Sequence, residues 1–461
     1  MTDEKKPTKE ELLKKAMVWK DVAEKLHKFY RGKLMVLPKC AIESYDDFAW
    51  VYTPGVAEPC RRIHSEPESV WMYTNRWNYA AVVSDGSRVL GLGNIGPEAG
   101  LPVMEGKAVL FKYLGGVDAF PLVTSASTAD ELVQLLKWIE PNFGAINLED
   151  IQKPKCFDVL ERARKELNIC VWHDDQQGTA TVVYAGLKNA LKIVGKKLSE
   201  AKIVFYGFGA ANKKTADVLI IAGAKPEHMY IVDSKGLLGP HREDVKGTYK
   251  EWWAHHTNPD QRTGGLKEAL EGADVLIAMS KPGPGVIKPE EIKVMNDDAI
   301  VFACANPIPE IWPWEAKEAG ARIVATGRSD FSNQVNNSLG FPAIFRGVLD
   351  VMAKTVTDEM CVAAGDALAK FAEEKGIHEE YIIPRMDEWE VFPYEAAAAA
   401  IQSIKQGVAR IKTTWQEEFE RAKRIIQESQ AMLDLLIKHG LIKHIPEEIK
   451  AIYMRKKEKG E

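Results

Sequence analysis

At 461 residues, 46% of them hydrophobic, the chain has material for two or three domains with sizeable cores. Its 61 basic and 66 acidic side chains leave a net charge of −5, which excludes the basic surface that nucleic-acid binding requires. A membrane helix needs a run of about 18 apolar residues, and there is none; the N-terminus Met1-Thr2-Asp3-Glu4-Lys5-Lys6 lacks the apolar core of a signal peptide.

Along the chain, Thr8-x-x-Glu11 makes a capping box ahead of Leu12, Leu13, Met17 and Val22, and Gly32 closes that helix. Tyr52 then stands before a Pro54-Gly55 turn, where a tyrosine ordinarily packs with its hydroxyl bonded. Apolar stretches at Ala80–Val83 and Ala119–Val123 alternate with a helical pattern from Ala129 to Ile139. Between them, Arg88 begins a loop carrying Gly91, Gly93 and Gly96, suited to close backbone approach to an anion. Lys107 sits at the mouth of an apolar segment. Burial there would lower its pKa and allow a neutral base, whereas a surface lysine would simply extend into solvent.

Two further apolar runs end in paired acids, Ile146-Asn147-Leu148-Glu149-Asp150 and Val171-Trp172-His173-Asp174-Asp175. Such runs predict buried strands of a parallel sheet, beyond whose carboxyl ends ligands gather. Acids at that place often cap the next helix. Several carboxylates brought together instead call for a hard cation, Mg²⁺ or Mn²⁺.

A second alternation starts at Lys202–Tyr206 and runs through Tyr230–Val232, Val275–Ala278, Ile300–Ala303 and Arg322–Ala325. The first strand leads into Gly207-Phe208-Gly209-Ala210-Ala211-Asn212, a dinucleotide turn opening a helix, with Asn212 where a third glycine or alanine is usual. Asp233 ends the next strand, where a ribose-binding acid belongs. That carboxylate, fixed at the strand end, favours NAD, and the sequence leans that way; Lys235 and Arg242, in a loop expected to be mobile, would instead favour NADP. Asn306 and Asn337 follow later strands and suit a carboxamide or carboxylate, although Asn-Pro is also an ordinary turn starter. The sequence therefore predicts an α/β chain of two domains with a helical tail. An N-terminal α/β domain with a parallel sheet spans 1–175, a Rossmann NAD(P)-binding domain spans 176–400, and a helical extension covers 401–461. In the tail Trp415, Phe419, Ala422, Ile426, Leu433 and Leu436 form an apolar stripe, which packs on its own domain or mediates assembly. The six cysteines are scattered without a Cys-x-x-Cys pair, the pattern of reduced thiols in a cytoplasm.

Taken in order over about 45–400, these segments resemble the malic enzyme family in its short prokaryotic form. The resemblance implies oxidative decarboxylation of L-malate to pyruvate and carbon dioxide with NAD or NADP and Mg²⁺ or Mn²⁺, in a homodimer or higher homo-oligomer. It matches Tyr52 to the acid, Lys107 to the base and Arg88 to the carboxylate clamp. Glu149, Asp150 and Asp175 match the metal ligands, and Asn306 and Asn337 match contacts to cofactor and substrate. Asp174 is expected to orient Lys107 rather than bind metal. Because neighbouring strand residues face opposite ways, Glu149 and Asp150 can share a cation only beyond the strand end. A malolactic enzyme would use the same apparatus to make lactate. An amino-acid dehydrogenase would need no carboxylate metal site, and a silent nucleotide-binding subunit would need neither acid nor base.

Overall fold

The computed structural model describes residues 22–458, so the Thr8/Glu11 capping box lies outside the described residues. By contacts the chain forms two compact units. One is 42–426; the other comprises the described parts of 1–41 and 427–461. In the smaller unit a helix over 22–30 ends at Arg31 and Gly32, both with positive φ, and Tyr30 Oη donates to the Lys443 carbonyl at 2.7 Å.

The larger unit opens with α1 (Tyr45–Val51) and then builds a first sheet from β1 (Tyr79–Ser84), α2 (Pro97–Gly115), β2 (Asp118–Val123), α3 (Ala129–Ile139), β3 (Ala145–Leu148), α4 (Lys155–Glu166) and β4 (Cys170–His173). All pairings are parallel, in the order β2-β1-β3-β4. Strands β3 and β4 are buried throughout, as expected for continuous apolar runs covered on both faces. Only β2 is half-buried, and it carries Pro121, which cannot donate to a ladder and is tolerated on an edge.

After β4, residues Asp174–Gly178 form one wide π-type turn that leads into α5 (Thr179–Ile193). The second sheet follows with β5 (Ile203–Tyr206), α6 (Ala210–Ile221), β6 (Met229–Asp233), β7 (Gly236–Leu237), β8 (Val275–Ala278), β9 (Ala299–Ala303) and β10 (Ala321–Thr326). Its order is β10-β9-β8-β5-β6-β7, parallel except for β7, a two-residue antiparallel return that the sequence pattern does not predict. The chain leaves β5 to one side for β6 and returns on the other side with β8, so the topological switch point lies between β5 and β8.

Helices α7 (Phe341–Asp350), α8 (Asp358–Lys375), α9 (Val391–Lys405), α10 (Trp415–Lys438) and α11 (Glu447–Glu458) complete the described chain. Phe111 of α2 meets Phe341 and Phe345 of α7 edge-on, with centroids 4.6 and 4.7 Å apart, which draws the late chain onto the first sheet. The first half of the tail stripe packs within its own unit: Ala422 and Ile426 are fully buried, and Phe419 lies edge-on to Tyr394 at 4.8 Å.

α10 also buries a carboxyl group, Glu418, near the Arg346–Asp350 ion pair of α7. Arg346 grips Asp350 through two bonds of 2.6 and 2.9 Å, and Glu418, fully buried, pairs with Arg421 at 3.3 Å. Burial, and then the neighbouring Asp350 carboxylate, push the Glu418 carboxyl up to about 10. A folded-state value above the usual ~4.3 gives stability that is full below about pH 4.3 and declines as pH rises through about 10. Glu418→Gln, which cannot titrate, should therefore gain in Tm over the parent as pH rises from 5 to 9. A Tm difference that does not change with pH would refute this.

Candidate active site

The acids after β3 and β4 converge beyond the strand ends. β3 stops at Leu148 and Asp150 takes a left-handed φ of 55°, which lets two consecutive carboxylates turn to one place. Glu149, Asp150 and Asp175 each bring a carboxylate oxygen within 4.8 Å of the others. Asp175 Oδ2 accepts from the Asp150 amide at 2.9 Å, and Asp150 Oδ1 accepts from the Leu90 amide at 3.2 Å. Asp150 Oδ2 is buried with no donor within reach among the described residues. An all-oxygen set with an orphaned buried oxygen fits a hard divalent cation. Burial, and then the charge of Asp175, push Asp150 up to about 7; burial also holds Glu149 well above the usual carboxylate range.

Lys107, on α2, is buried against this cluster. Its Nζ lies 2.5 Å from Asp174 Oδ2, 3.1 Å from Glu149 Oε1 and 4.4 Å from the Phe341 ring centre. Here the structure corrects the expectation of a lowered pKa. Burial does oppose the ammonium, but Asp174 and Glu149 outweigh it and hold Lys107 above its ordinary value. Asp174 stands outside the three converging acids: Oδ1 accepts from Trp172 Nε1 at 3.1 Å, and a Cβ on Gly178 would stand 1.9 Å from it, so only glycine leaves room. The same Cβ would lie 3.2 Å from Cβ of Asn337, which brings that residue beside the lysine–aspartate pair.

Other expected residues are placed differently. Arg88 is exposed at the cluster's rim, its amide donating to the Asp150 carbonyl at 2.9 Å and its guanidinium to the Leu90 carbonyl at 3.3 Å. Tyr52 caps α1 and is 71% exposed, in company with the exposed Tyr45, Phe48 and Trp50.

On the second sheet, Gly207-Phe208-Gly209 turns from β5 into α6 at the switch point, with Gly207 at φ 82°. Phe208 is buried against Trp253 (centroids 5.3 Å apart), so in this turn only its backbone faces outward; Ala210 and Ala211 open α6 and stay half-exposed. The departure at Asn212 has a structural reason: its buried amide donates to the carbonyls of Gly207 (2.6 Å), Tyr206 (3.2 Å) and Ile277 (3.2 Å), tying the turn to β8. Asp233 ends β6 as expected, but the nearby cations are anchored rather than mobile. Arg242 binds both its oxygens at 3.1 and 3.2 Å, Lys250 pairs with it, and Lys235 reaches Asp244 at 3.0 Å. Asn306 follows β9, with its side chain over Gly327 and its carbonyl 3.0 Å from where a Cβ on Gly91 would stand. The sequence reading missed Lys153, whose Nζ lies 3.7 Å from where a Cβ on Gly209 would stand. An exposed lysine in the loop after β3 gives no local signal that it will overhang a turn of the other sheet.

A glycine-rich turn at the switch point of a doubly wound sheet, with buried acids and a lysine beyond the ends of a second parallel sheet, is the layout of a nucleotide-dependent dehydrogenase. The malic enzyme N-terminal domain matches residues 31–164 and the malic enzyme NAD binding domain matches residues 176–405. The chain is 46% identical over 409 residues to the bifunctional malic/malolactic enzyme of Bacillus subtilis, covering 89% of this chain and 99% of that protein. It is 43% identical over 394 residues to the NADP-dependent malic enzyme of Halomonas elongata, covering 82% and 92%. The crystal structure of Entamoeba histolytica malic enzyme superposes with a TM-score of 0.94 at 46% identity, covering 98% of this chain and 96% of that one. The chain belongs to the malic enzyme family, enzymes that oxidise malate with NAD or NADP.

Proposed function

We propose that this chain converts L-malate to pyruvate and carbon dioxide, passing hydride to NAD(P) with the help of a divalent cation. The observation that carries this reading is the buried Lys107–Asp174 pair lying against the three-carboxylate cluster. Glu149, Asp150 and Asp175 would hold Mg²⁺ or Mn²⁺, which supplies positive charge that polarises the C2 hydroxyl and disfavours the ammonium form of Lys107. Lys107 Nζ, freed of its proton and aimed by Asp174, takes the C2 hydroxyl proton as the C2 hydride leaves for the nicotinamide. The C3–C4 bond then breaks with release of carbon dioxide, its electron pair forms the enolate, and Tyr52 protonates C3. Arg88 and Asn337 take the malate carboxylates; Asn306 and the 207–211 turn take the cofactor. In domain terms, 1–175 carries malate and metal, 176–400 the dinucleotide, and 401–461 is a helical extension.

The charges around Asp233 make us infer use of both cofactors. The carboxylate repels a 2′-phosphate, while Arg242, Lys250 and Lys235 attract it. A malate assay with Mn²⁺ and either cofactor should give kcat/KM values within about tenfold, or ~1.4 kcal/mol, of each other. A larger preference overturns that inference, and no reduction with either cofactor overturns the function. Lactate instead of pyruvate would identify the malolactic reading, which the similarity to a bifunctional relative favours.

We also infer a homo-oligomer in the cytoplasm, with a second copy covering the aromatic face at Tyr45, Phe48, Trp50 and Tyr52. These large side chains are 55–89% exposed and form one stretch around α1. Trp50→Glu should shift sedimentation to the single chain; unchanged sedimentation would remove this face from the interface. Six free cysteines accord with the reducing compartment. Among the described residues no helix is long and apolar enough to cross a membrane.

A further inference from the structure

The phosphate turn is tied to the Asn306 loop by one buried side chain of that loop, Glu310, in the connection after β9. It is fully buried. Its Oε1 accepts from the Ser280 amide at 2.7 Å and the Ser280 hydroxyl at 3.2 Å, and its Oε2 accepts from the Ala305 amide at 3.1 Å. Ser280 lies just past the end of β8 and Ala305 just past the end of β9, so one carboxylate spans two loops at the carboxyl edge of the sheet. Three donors and no acceptor suit an ionised carboxylate, which only accepts.

Each loop leads to a different part of the dinucleotide site. Ser280 is pressed on the glycine turn: a Cβ on Gly207 would stand 2.9 Å from Ser280 Cα and 2.7 Å from the Met279 carbonyl. Ala305 precedes Asn306, whose carbonyl abuts Gly91 in the Gly-rich loop of the first sheet. The separation of the Ser280 and Ala305 loops therefore sets the spacing between the turn beside β5 and the amide beside β9. A dinucleotide lying across the switch point must match that spacing, and pre-set spacing lowers the ordering cost of binding.

We propose that Glu310 is a positioning residue for NAD(P), holding the β8 and β9 loops at the separation the bound dinucleotide requires. The proposal rests on dinucleotide binding by the second sheet, not on the assignments of Lys107, Tyr52 or the metal ligands. Glu310→Gln keeps the volume and one acceptor oxygen but turns an NH₂ toward a backbone N–H. NADH and NADPH dissociation constants, read by nicotinamide fluorescence, should rise at least about tenfold, as should the cofactor KM. At saturating cofactor the malate KM should stay within twofold, and Tm should fall by only a few degrees. A merely structural role would lower Tm and leave the dissociation constants of the folded protein unchanged, and that result overturns the proposal. Ser280→Ala removes only the hydroxyl donor and covers the case in which the glutamine variant does not fold. It should raise the same constants twofold to fivefold, and no change there would equally overturn the proposal.

Discussion

Asp175→Ala should abolish malate oxidation, by roughly a thousandfold or more, and no excess of Mn²⁺ should restore it. Asp175 contributes an oxygen to the three-acid cluster and also accepts from the Asp150 amide, so its loss removes one ligand and unsettles a second. Polarisation by a bound cation contributes several kcal/mol to the transition state, and about 1.4 kcal/mol is tenfold in rate. The change is local: the Asp175 side chain is 37% exposed, so its removal opens no core cavity and leaves the dinucleotide turn untouched. The variant should keep its NADH affinity while losing Mn²⁺ binding as read by electron paramagnetic resonance. Chelation of the parent with EDTA should reproduce the loss and be reversed by Mn²⁺. Full activity in EDTA would remove the metal from the reaction.

Lys107→Ala should slow oxidation by about 10²–10⁴-fold, the usual contribution of a general base. Its test has a second arm, because the variant leaves Asp174 buried with its strongest partner gone. Lys107→Arg keeps a positive charge beside Asp174 but does not give up its proton, so it should be as inactive as the alanine variant. Tyr52→Phe should retain more of the hydride step and accumulate enolpyruvate, detected as delayed ketonisation. A tyrosine 71% exposed in the lone chain can act in a water-poor site only once its face is covered. Mixed oligomers of Lys107→Ala and Tyr52→Phe chains should therefore regain part of the activity that each alone lacks, if one site draws on two copies. Wild-type turnover by Tyr52→Phe would end its role as the acid.

Much of the site was legible because strand ends announce themselves. The acids of Asn147–Asp150 and His173–Asp175 close apolar runs, and parallel sheets collect ligands at that edge; the structure brings Glu149, Asp150 and Asp175 together there. That Asp174 faces Lys107 is expected from the logic of supported ligands and not from the local pattern. Asp174 turns to Lys107 and Asp175 to Asp150 because the wide turn at 174–178 separates their directions, and nothing in the local pattern foretells that turn. The charge on Lys107 was misjudged for a related reason: burial is readable from its apolar neighbours, but the carboxylates that outweigh it arrive from the ends of two other strands.

The sequence by itself determined the alternating strands and helices, the placing of glycine turns and acids at strand ends, and the dinucleotide character of the second half. These follow from period, punctuation and residue type, which act over a few residues. Tertiary structure decided what those residues meet. Asn212, an exception to the glycine fingerprint, proved to be a tie to the Ile277 carbonyl of β8. Asp233 proved to be sheathed by Arg242 and Lys250, and Glu310 to bridge two loops. In each case one partner lies beyond local pattern, 65 residues from Asn212, 17 from Asp233 and 30 from Glu310, and a buried polar group takes its energy from the donor, acceptor or charge beside it.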